Sequence, residues 1–288
     1  MRVARTPAEL GPGPRAVALG TFDGVHLGHR RVIEIALAAG PETAVVTFDP
    51  HPRTALGNRV ELLSSLERRL ELLAELGVEA ALVIDFTLEL ARLEPEEFAE
   101  QVLLPIGAEL VVAGADFRFG RGRKGDLDLL AALDLEVRSV PLLDGVSSTR
   151  IRELVRSGDV EGAARMLGRP IETEGVVVAG EARGGTLGFP TANLDVRPEL
   201  LVPGYGIYSG AARGHRAAVS IGTNPHYGGR ERRVEAHLLD FSGDLYGERL
   251  VVELWRKLRD EQAFESEEEL VRQIARDVEA ARSAQRPV

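Results

Sequence analysis

A chain of 288 residues, 28% charged and 44% hydrophobic, has the length of two packed domains, and its lack of cysteine excludes thiol catalysis, thiolate zinc sites, iron–sulfur clusters and disulfides. The formal net charge of -10, acidic in both halves, argues against a broad nucleic-acid-binding face. Apolar runs too short to span a bilayer, and a start without the basic-then-apolar plan of an export signal, lead to the expectation of a soluble cytoplasmic protein that does not act at a membrane.

In chain order, Ala16–Leu19, Ala44–Phe48, Ala80–Ile84, Leu110–Ala113 and Leu135–Val140 read as short buried strands. Helical periodicity between them predicts an open parallel sheet, whose ligands lie beyond the carboxyl ends of the strands. The loops after Leu19, Phe48 and Ala113 are therefore the informative ones. In the helix between the second and third strands, Ser64 and Glu67 have capping-box spacing, Leu66, Leu70 and Leu73 form a stripe, and Gly77 marks the stop. Helical segments from about Thr149 to Leu167 are expected to close this half, with a boundary at Gly168-Arg169-Pro170 and domains of 1–170 and 171–288.

Beyond the boundary the runs shorten and alternate: Gly175–Val178, Gly206–Ala212, Ala217–Ile221, Glu235–Leu239 and Leu250–Trp255. They predict an antiparallel barrel or sandwich. A last helix, capped by Ser266 with Glu269 and striped by Leu270, Ile274 and Val278, is expected to pack on it.

Four segments carry chemistry. Gly20-Thr21-Phe22-Asp23-Gly24-Val25-His26-Leu27-Gly28-His29 joins the first strand to the first long helix around H-x-G-H. Two imidazoles at a helix start can donate to a phosphate whose charge grows in the transition state. The alternative is a turn whose histidines cap the helix; a metal role lacks a third ligand nearby. At Ser147-Ser148-Thr149-Arg150-Ile151-Arg152, hydroxyls begin a helix and Arg152 lies one turn inside, suiting a triphosphate, although a cap with a solvent-facing arginine is the simpler account taken alone. From Gly180 to Asn193 the chain is glycine-dense and ends in Thr191 and Asn193, hard oxygen donors suited to a nucleotide phosphate with Mg²⁺; an ordinary turn fits the composition as well. Glu235, in Arg233-Val-Glu-Ala-His-Leu-Leu, reads by default as an outward-facing strand carboxylate.

Lysine occurs only at Lys124 and Lys257, neither in G-x-x-x-x-G-K-[ST], so a Walker-type loop is excluded. Gly120-Arg121-Gly122-Arg123-Lys124-Gly125 satisfies G-x-G-x-x-G, but it does not directly follow a strand and its basic side chains are foreign to a dinucleotide fingerprint. It is left as a loop that neutralises phosphates or is simply solvated.

H-x-G-H after the first strand with S-T-x-I-R after the last resembles the nucleotidyltransferase superfamily. Over nearly its whole length the chain resembles the bifunctional riboflavin kinase/FMN adenylyltransferase family. GTFDGVHLGH, TFDPHP, GADFRFGRG and SSTRIRE match the adenylyltransferase half, and LGFPTANL, PGYGIYSG, SIGTNP, VEAHLLDFSGDLYG and KLRDEQ match the kinase half. The resemblance implies an α/β nucleotidyltransferase-type parallel sheet domain followed by an antiparallel six-stranded β-barrel domain with a C-terminal helix. It implies phosphorylation of riboflavin to FMN and adenylyl transfer from ATP to FMN, with ATP, riboflavin and FMN as substrates and Mg²⁺ as cofactor.

By the same resemblance His26 and His29 stabilise the α-phosphate of ATP, with Gly20, Phe22, Ser148, Thr149 and Arg152 near the nucleotide. Pro50, Pro52, Asp116 and Phe119 line the FMN side. In the kinase half Gly180 and Gly188 approach ATP, Thr191 and Asn193 hold Mg²⁺, and Glu235 is the base for the ribityl hydroxyl. Thr21, Asp116 and Ser220 depart from the asparagine found there in many relatives, which bears on substrate affinity more than on reaction type.

Overall fold

The structure, a computed structural model, describes residues 1–180, 187–223 and 232–288, in two compact units, Met1–Ser147 and Ser148–Val288. The segments Glu181–Thr186 and Asn224–Glu231, which hold part of the glycine-dense run and of SIGTNP, lie outside the described residues. Among the described residues no helix is long and apolar enough to cross a membrane.

The first unit is built on a parallel sheet of six strands in the order β1-β4-β3-β2-β5-β6. These are β1 (Arg2–Ala4), β2 (Arg15–Leu19), β3 (Glu42–Asp49), β4 (Ala80–Asp85), β5 (Ala108–Gly114) and β6 (Glu136–Val140). The central strands alternate faces, and each face meets its own core. Val17, Leu19, Val46, Leu82 and Val111 lie in one cluster with Phe98 and Ile106, while Ala16, Ala18, Val45 and Val112 lie in the other with Ile33 and Leu73. Burial on both faces is what turns a strand into a continuous apolar run. β1, three residues long, shows no such run in the sequence.

Helices α1 (Pro7–Leu10), α2 (Leu27–Leu37), α3 (Pro52–Ala55), α4 (Leu66–Glu75), α5 (Pro95–Phe98) and α6 (Leu127–Ala132) fill the connections, α5 running on into a π turn over Ala99–Leu103. The cap of α4 corrects the sequence reading by one residue. Ser65 is the N-cap and accepts from the Arg68 N–H, whereas Ser64 accepts from the Gly24 N–H. Two adjacent serines compete for one cap, and the loop after β2 recruits the first. The buried face is correspondingly Arg69, Leu72 and Leu73, with Leu66 and Leu70 at its margin. Gly77, with φ of 95°, ends the helix as expected.

The second unit opens with α7 (Ser148–Ser157) and α8 (Val160–Leu167), so helices expected to close the first half group with the second. α8 buries Val160, Ala163, Ala164 and Leu167 and packs on two barrel strands, β7 (Ile171–Val178) and β12 (Arg249–Arg259). With β8 (Ala192–Asp195), β9 (Gly206–Ala212), β10 (His215–Thr223) and β11 (Arg232–Leu238) these close an antiparallel barrel in the order β10-β11-β8-β7-β12-β9. Ala217, Val219, Ile221, Val234, Ala236, Val252 and Leu254 are buried. On β11 the alternation leaves Arg233, Glu235 and His237 half-buried on the opposite face.

The last helix, α9 (Glu267–Ser283), is capped by Ser266, which accepts from the Glu269 N–H, and packs against β9, β10 and β12. Its stripe of Leu270, Ile274 and Val278 is only half-buried because it lines a cavity rather than pressing onto the strands.

Candidate active sites

In the first unit the loop between β2 and α2 is held from several sides. Asp23, 1% exposed, accepts from the Leu63 and Ser64 N–H groups, at 2.9 and 3.2 Å. Phe22, at φ of 51°, turns its ring into the core and meets His29 edge-on. His26 is the N-cap of α2: its Nδ1 accepts from the His29 N–H at 3.2 Å, and the two imidazoles stack with centroids 3.6 Å apart. Gly28 makes this possible, since a Cβ there would stand 3.1 Å from the His26 ring. Of the two alternatives in the sequence the structure shows capping, and the cap sets two nearly parallel rings at the positive end of a helix.

Next to this loop runs the end of β3. Asp49–Pro50 is a cis peptide, Pro50 is exposed, and Pro52 opens α3, where His51 Nδ1 accepts from the Arg53 N–H at 3.2 Å. Arg69 of α4, 1% exposed, donates from Nη1 to Thr21 O and Phe48 O, both at 3.1 Å, and to Thr47 Oγ1 at 3.3 Å. Burial pushes its guanidinium below the ordinary arginine range, against the opposing charges of Asp23 and Asp49. After β5, Asp116 is exposed, while Phe119 is 7% exposed and packs in the core against Phe98. Phe86, Phe48, Phe98, Phe119 and Phe117 follow one another at centroid distances of 5.5, 6.4, 5.5 and 5.8 Å, an aromatic row at the carboxyl ends of the strands. Arg69 escaped the sequence reading, and so did the row as a whole, of which only Phe119 was named as a site residue. Glu67-Arg68-Arg69 looks like a solvated face, and phenylalanines scattered over distant loops carry no periodic signal.

In the second unit the start of α7 places Ser148 half-buried and Thr149 exposed. Arg152 is 7% exposed and not solvent-facing, one face of the helix with Ile151 and Val155.

Between the outer wall of the barrel and α9 lies a cavity of about 260 Å³. Its walls include Ile207, Val219, Phe264, Leu270, Ile274 and Val278, and its polar lining includes Thr191 and Glu235. Glu235 lies opposite Asn193 on β8 and Ser220 on β10. The Thr191 hydroxyl donates to Glu235 Oε2 at 3.2 Å, and Arg233 Nε lies 2.5 Å from Glu235 Oε1 and 3.1 Å from Asn193 Oδ1. A Cβ at Gly180 would fall 2.2 Å from Asn193 Nδ2, so a larger residue there would displace that amide. Gly188 follows at φ of 86°. Arg259 donates Nε and Nη2 to Asp277, which also accepts from Gln273, and so ties α9 to β12 beside the cavity. The sequence showed the stripe and the carboxylate separately; closure of the barrel brings them to one cavity.

A helix start suited to a phosphate on one unit, and a carboxylate beside a hydroxyl on the other, are compatible with a two-part nucleotide-dependent transferase. Comparison with known proteins carries this to a family. Residues 11–152 match the family model described as FAD synthetase, and residues 167–285 the one described as riboflavin kinase. Relatives named bifunctional riboflavin kinase/FMN adenylyltransferase include that of Listeria monocytogenes, 37% identical over 93% of this chain and 92% of its own length. That of Escherichia coli K12 is 34% identical over 98% and 97%. A crystal structure described as a macrolide-efflux protein from Streptococcus pneumoniae shares the fold with a TM-score of 0.88 at 33% identity, over 98% of this chain and 99% of that one.

The chain belongs to the bifunctional riboflavin kinase/FMN adenylyltransferase family. It is an enzyme of flavin cofactor synthesis that phosphorylates riboflavin to FMN with ATP, then transfers an adenylyl group from ATP to FMN, giving FAD and pyrophosphate.

Proposed function

We propose that residues 1–170 carry adenylyl transfer and residues 171–288 carry the kinase reaction, each through the residues described above. In the second half the observation that carries the reading is the Thr191–Glu235 pair on the lining of an otherwise largely apolar cavity. The apolar walls suit the flat flavin ring, and the polar lining suits the ribityl chain. Arg233 holds Oε1 of Glu235, and Oε2, which accepts from the Thr191 hydroxyl, has a second lone pair for the terminal ribityl hydroxyl. That hydroxyl oxygen bonds to the γ-phosphorus of ATP, its proton passes to Oε2, and the bond to the departing ADP oxygen breaks.

The donor set fits Mg²⁺. Thr191 supplies a hydroxyl oxygen and Asn193 an amide oxygen, which here accepts from Arg233 Nε at 3.1 Å, two neutral hard donors beside Glu235. That is the pattern for an ion held largely by nucleotide phosphates and water. When bound, Mg²⁺ neutralises charge on the phosphates. Thr191 and Asn193 would hold it, while Gly180 and Gly188 let the backbone come close to ATP.

In the first half the attacking group is the FMN phosphate, already an anion at neutral pH, so no base is needed. His26 and His29, with Gly20 and Phe22 shaping their loop, spread the charge that develops on the α-phosphate of ATP as pyrophosphate leaves. Ser148, Thr149 and Arg152 contact the triphosphate, and Pro50, Pro52, Asp116 and Phe119 belong to the FMN side, with Phe119 acting from the core behind it. The protein acts in the cytoplasm on these small molecules rather than on nucleic acid or membrane.

Incubation of the purified protein with riboflavin, ATP and Mg²⁺, followed by chromatography of the flavins, tests the assignment. His29→Ala should accumulate FMN without FAD, with a loss of roughly 10²–10³-fold in the second step. Equal loss of both products in a folded variant would refute the division.

A further inference from the structure

We infer that Arg69 is a positioning residue of adenylyl transfer: its buried side chain holds the loop that carries the histidine pair against the loop that carries Pro50 and Pro52. The inference rests on the assignment of those loops to the adenylyl-transfer site.

Arg69 is out of place by the ordinary logic of a helix on a sheet. Its neighbours on the buried face of α4 are Leu72 and Leu73, yet at 1% exposure it is, among the described residues, the largest side chain so deeply enclosed. Nε and Nη2 are buried without a hydrogen-bond partner among the described residues. Buried donors left in this state cost free energy, and burial works against the charge itself, opposed by the nearby Asp23 and Asp49. Apolar packing therefore does not account for an arginine here.

Its one well-used nitrogen does account for it. Nη1 collects Thr21 O from the loop after β2, and Phe48 O and Thr47 Oγ1 from the end of β3, while the Thr47 hydroxyl itself donates to Thr21 O at 3.0 Å. Thr21 stands directly before Phe22 and Asp23, and Phe48 directly before Asp49-Pro50. On the other side of the same loop Asp23 is bound to the Leu63 and Ser64 N–H groups, just ahead of α4. One cation thus fixes the spacing of two loops that must present two anionic substrates to each other. An error of about 1 Å in such spacing can cost on the order of 10²-fold in rate.

Three acceptors around a single nitrogen match the three donors of an ammonium group, so lysine should serve where an apolar side chain cannot. In the full chain, Arg69→Met should lower kcat for FAD formation about tenfold or more and raise KM for ATP and FMN. The same sample should keep riboflavin phosphorylation within about twofold. Arg69→Lys should recover most of the lost rate. Loss of the charge beside Asp23 lowers the melting temperature under either role, whereas a purely structural role would leave kcat per folded molecule unchanged. A folded Arg69→Met with parental kcat and KM overturns the inference, and so does an Arg69→Lys as impaired as Arg69→Met.

Should Arg69→Met fail to fold, Thr47→Val decides: it keeps the shape and removes the hydroxyl shared by Arg69 and Thr21, and FAD formation should fall about threefold or more. A parental rate there overturns the inference as well. His29→Ala, measured alongside, separates the two levels. If it keeps FAD formation, the site assignment itself fails; if it alone loses activity, only the role of Arg69 does.

Discussion

Glu235 shows how little a residue says until its neighbours arrive. As one carboxylate in an alternating strand it is indistinguishable from a surface charge, and only pairing with β8 and β10 sets it opposite Asn193 and Ser220. Glu235→Gln keeps shape but cannot accept a proton, so FMN formation should fall roughly 10²–10⁴-fold in kcat. FAD formation from supplied FMN should stay at the parental rate; loss of both in separate assays would contradict the assignment. Tyr208 makes a prediction about pH. Burial, then the nearby Asp260 charge, pushes its phenol up to about 12, with Arg232 opposing. The fold favours the protonated phenol, so this contribution to stability is complete below pH 10 and is lost as pH rises toward 12, about 3 kcal/mol in all. Tyr208→Phe should flatten the decline in urea-unfolding free energy across that window; an unchanged slope would show that the phenol titrates normally.

At the scale of elements, legibility followed length and two-sided burial. β2 to β5, enclosed on both faces, announced themselves as apolar runs, and β9 did so with both ends correct. β1 and β8, of three and four residues, did not, because so short a run carries no period. H-x-G-H and S-T-x-I-R were readable as motifs, but the cap of α4 was misplaced by one residue and Arg69 was missed, both because tertiary partners far along the chain decided them. The half-buried stripe of α9 is a similar case: its period was plain, its cavity was not. Because Asp277 binds Arg259 and Gln273 from within α9, Asp277→Ala leaves a guanidinium without its partner and should cost about 3 kcal/mol in the second unit. Kinase activity should then be lost on heating at a lower temperature, and riboflavin KM should rise, while FAD formation from FMN is spared. Equal heat sensitivity of both activities would argue against a local effect.

At the scale of the molecule, the two units differ in where they divide from where the sequence pattern changes. The pattern changes at Gly168-Arg169-Pro170, but α7 and α8 belong by packing to the barrel unit. A fragment of residues 148–288 should therefore phosphorylate riboflavin, make no FAD, and melt at a higher temperature than a fragment of residues 171–288, whose β7 and β12 lose the cover of Val160, Ala163, Ala164 and Leu167. Identical melting of the two fragments would show that the helices add nothing to the barrel. The strand orders also set a timetable for synthesis. β2 and β3 are neighbours in both chain and sheet, so the centre of the first unit can form soon after it leaves the ribosome, and β4 then offers β1 its place. The barrel has no such early stage of closure, for β12 is the last strand made and sits between β7 and β9. Its ring stays open until residues 249–259 emerge, so a chain cut short during translation, even late in the barrel, would be left with a formed parallel sheet and unpaired β7 and β9 edges, a natural target for chaperones and proteases.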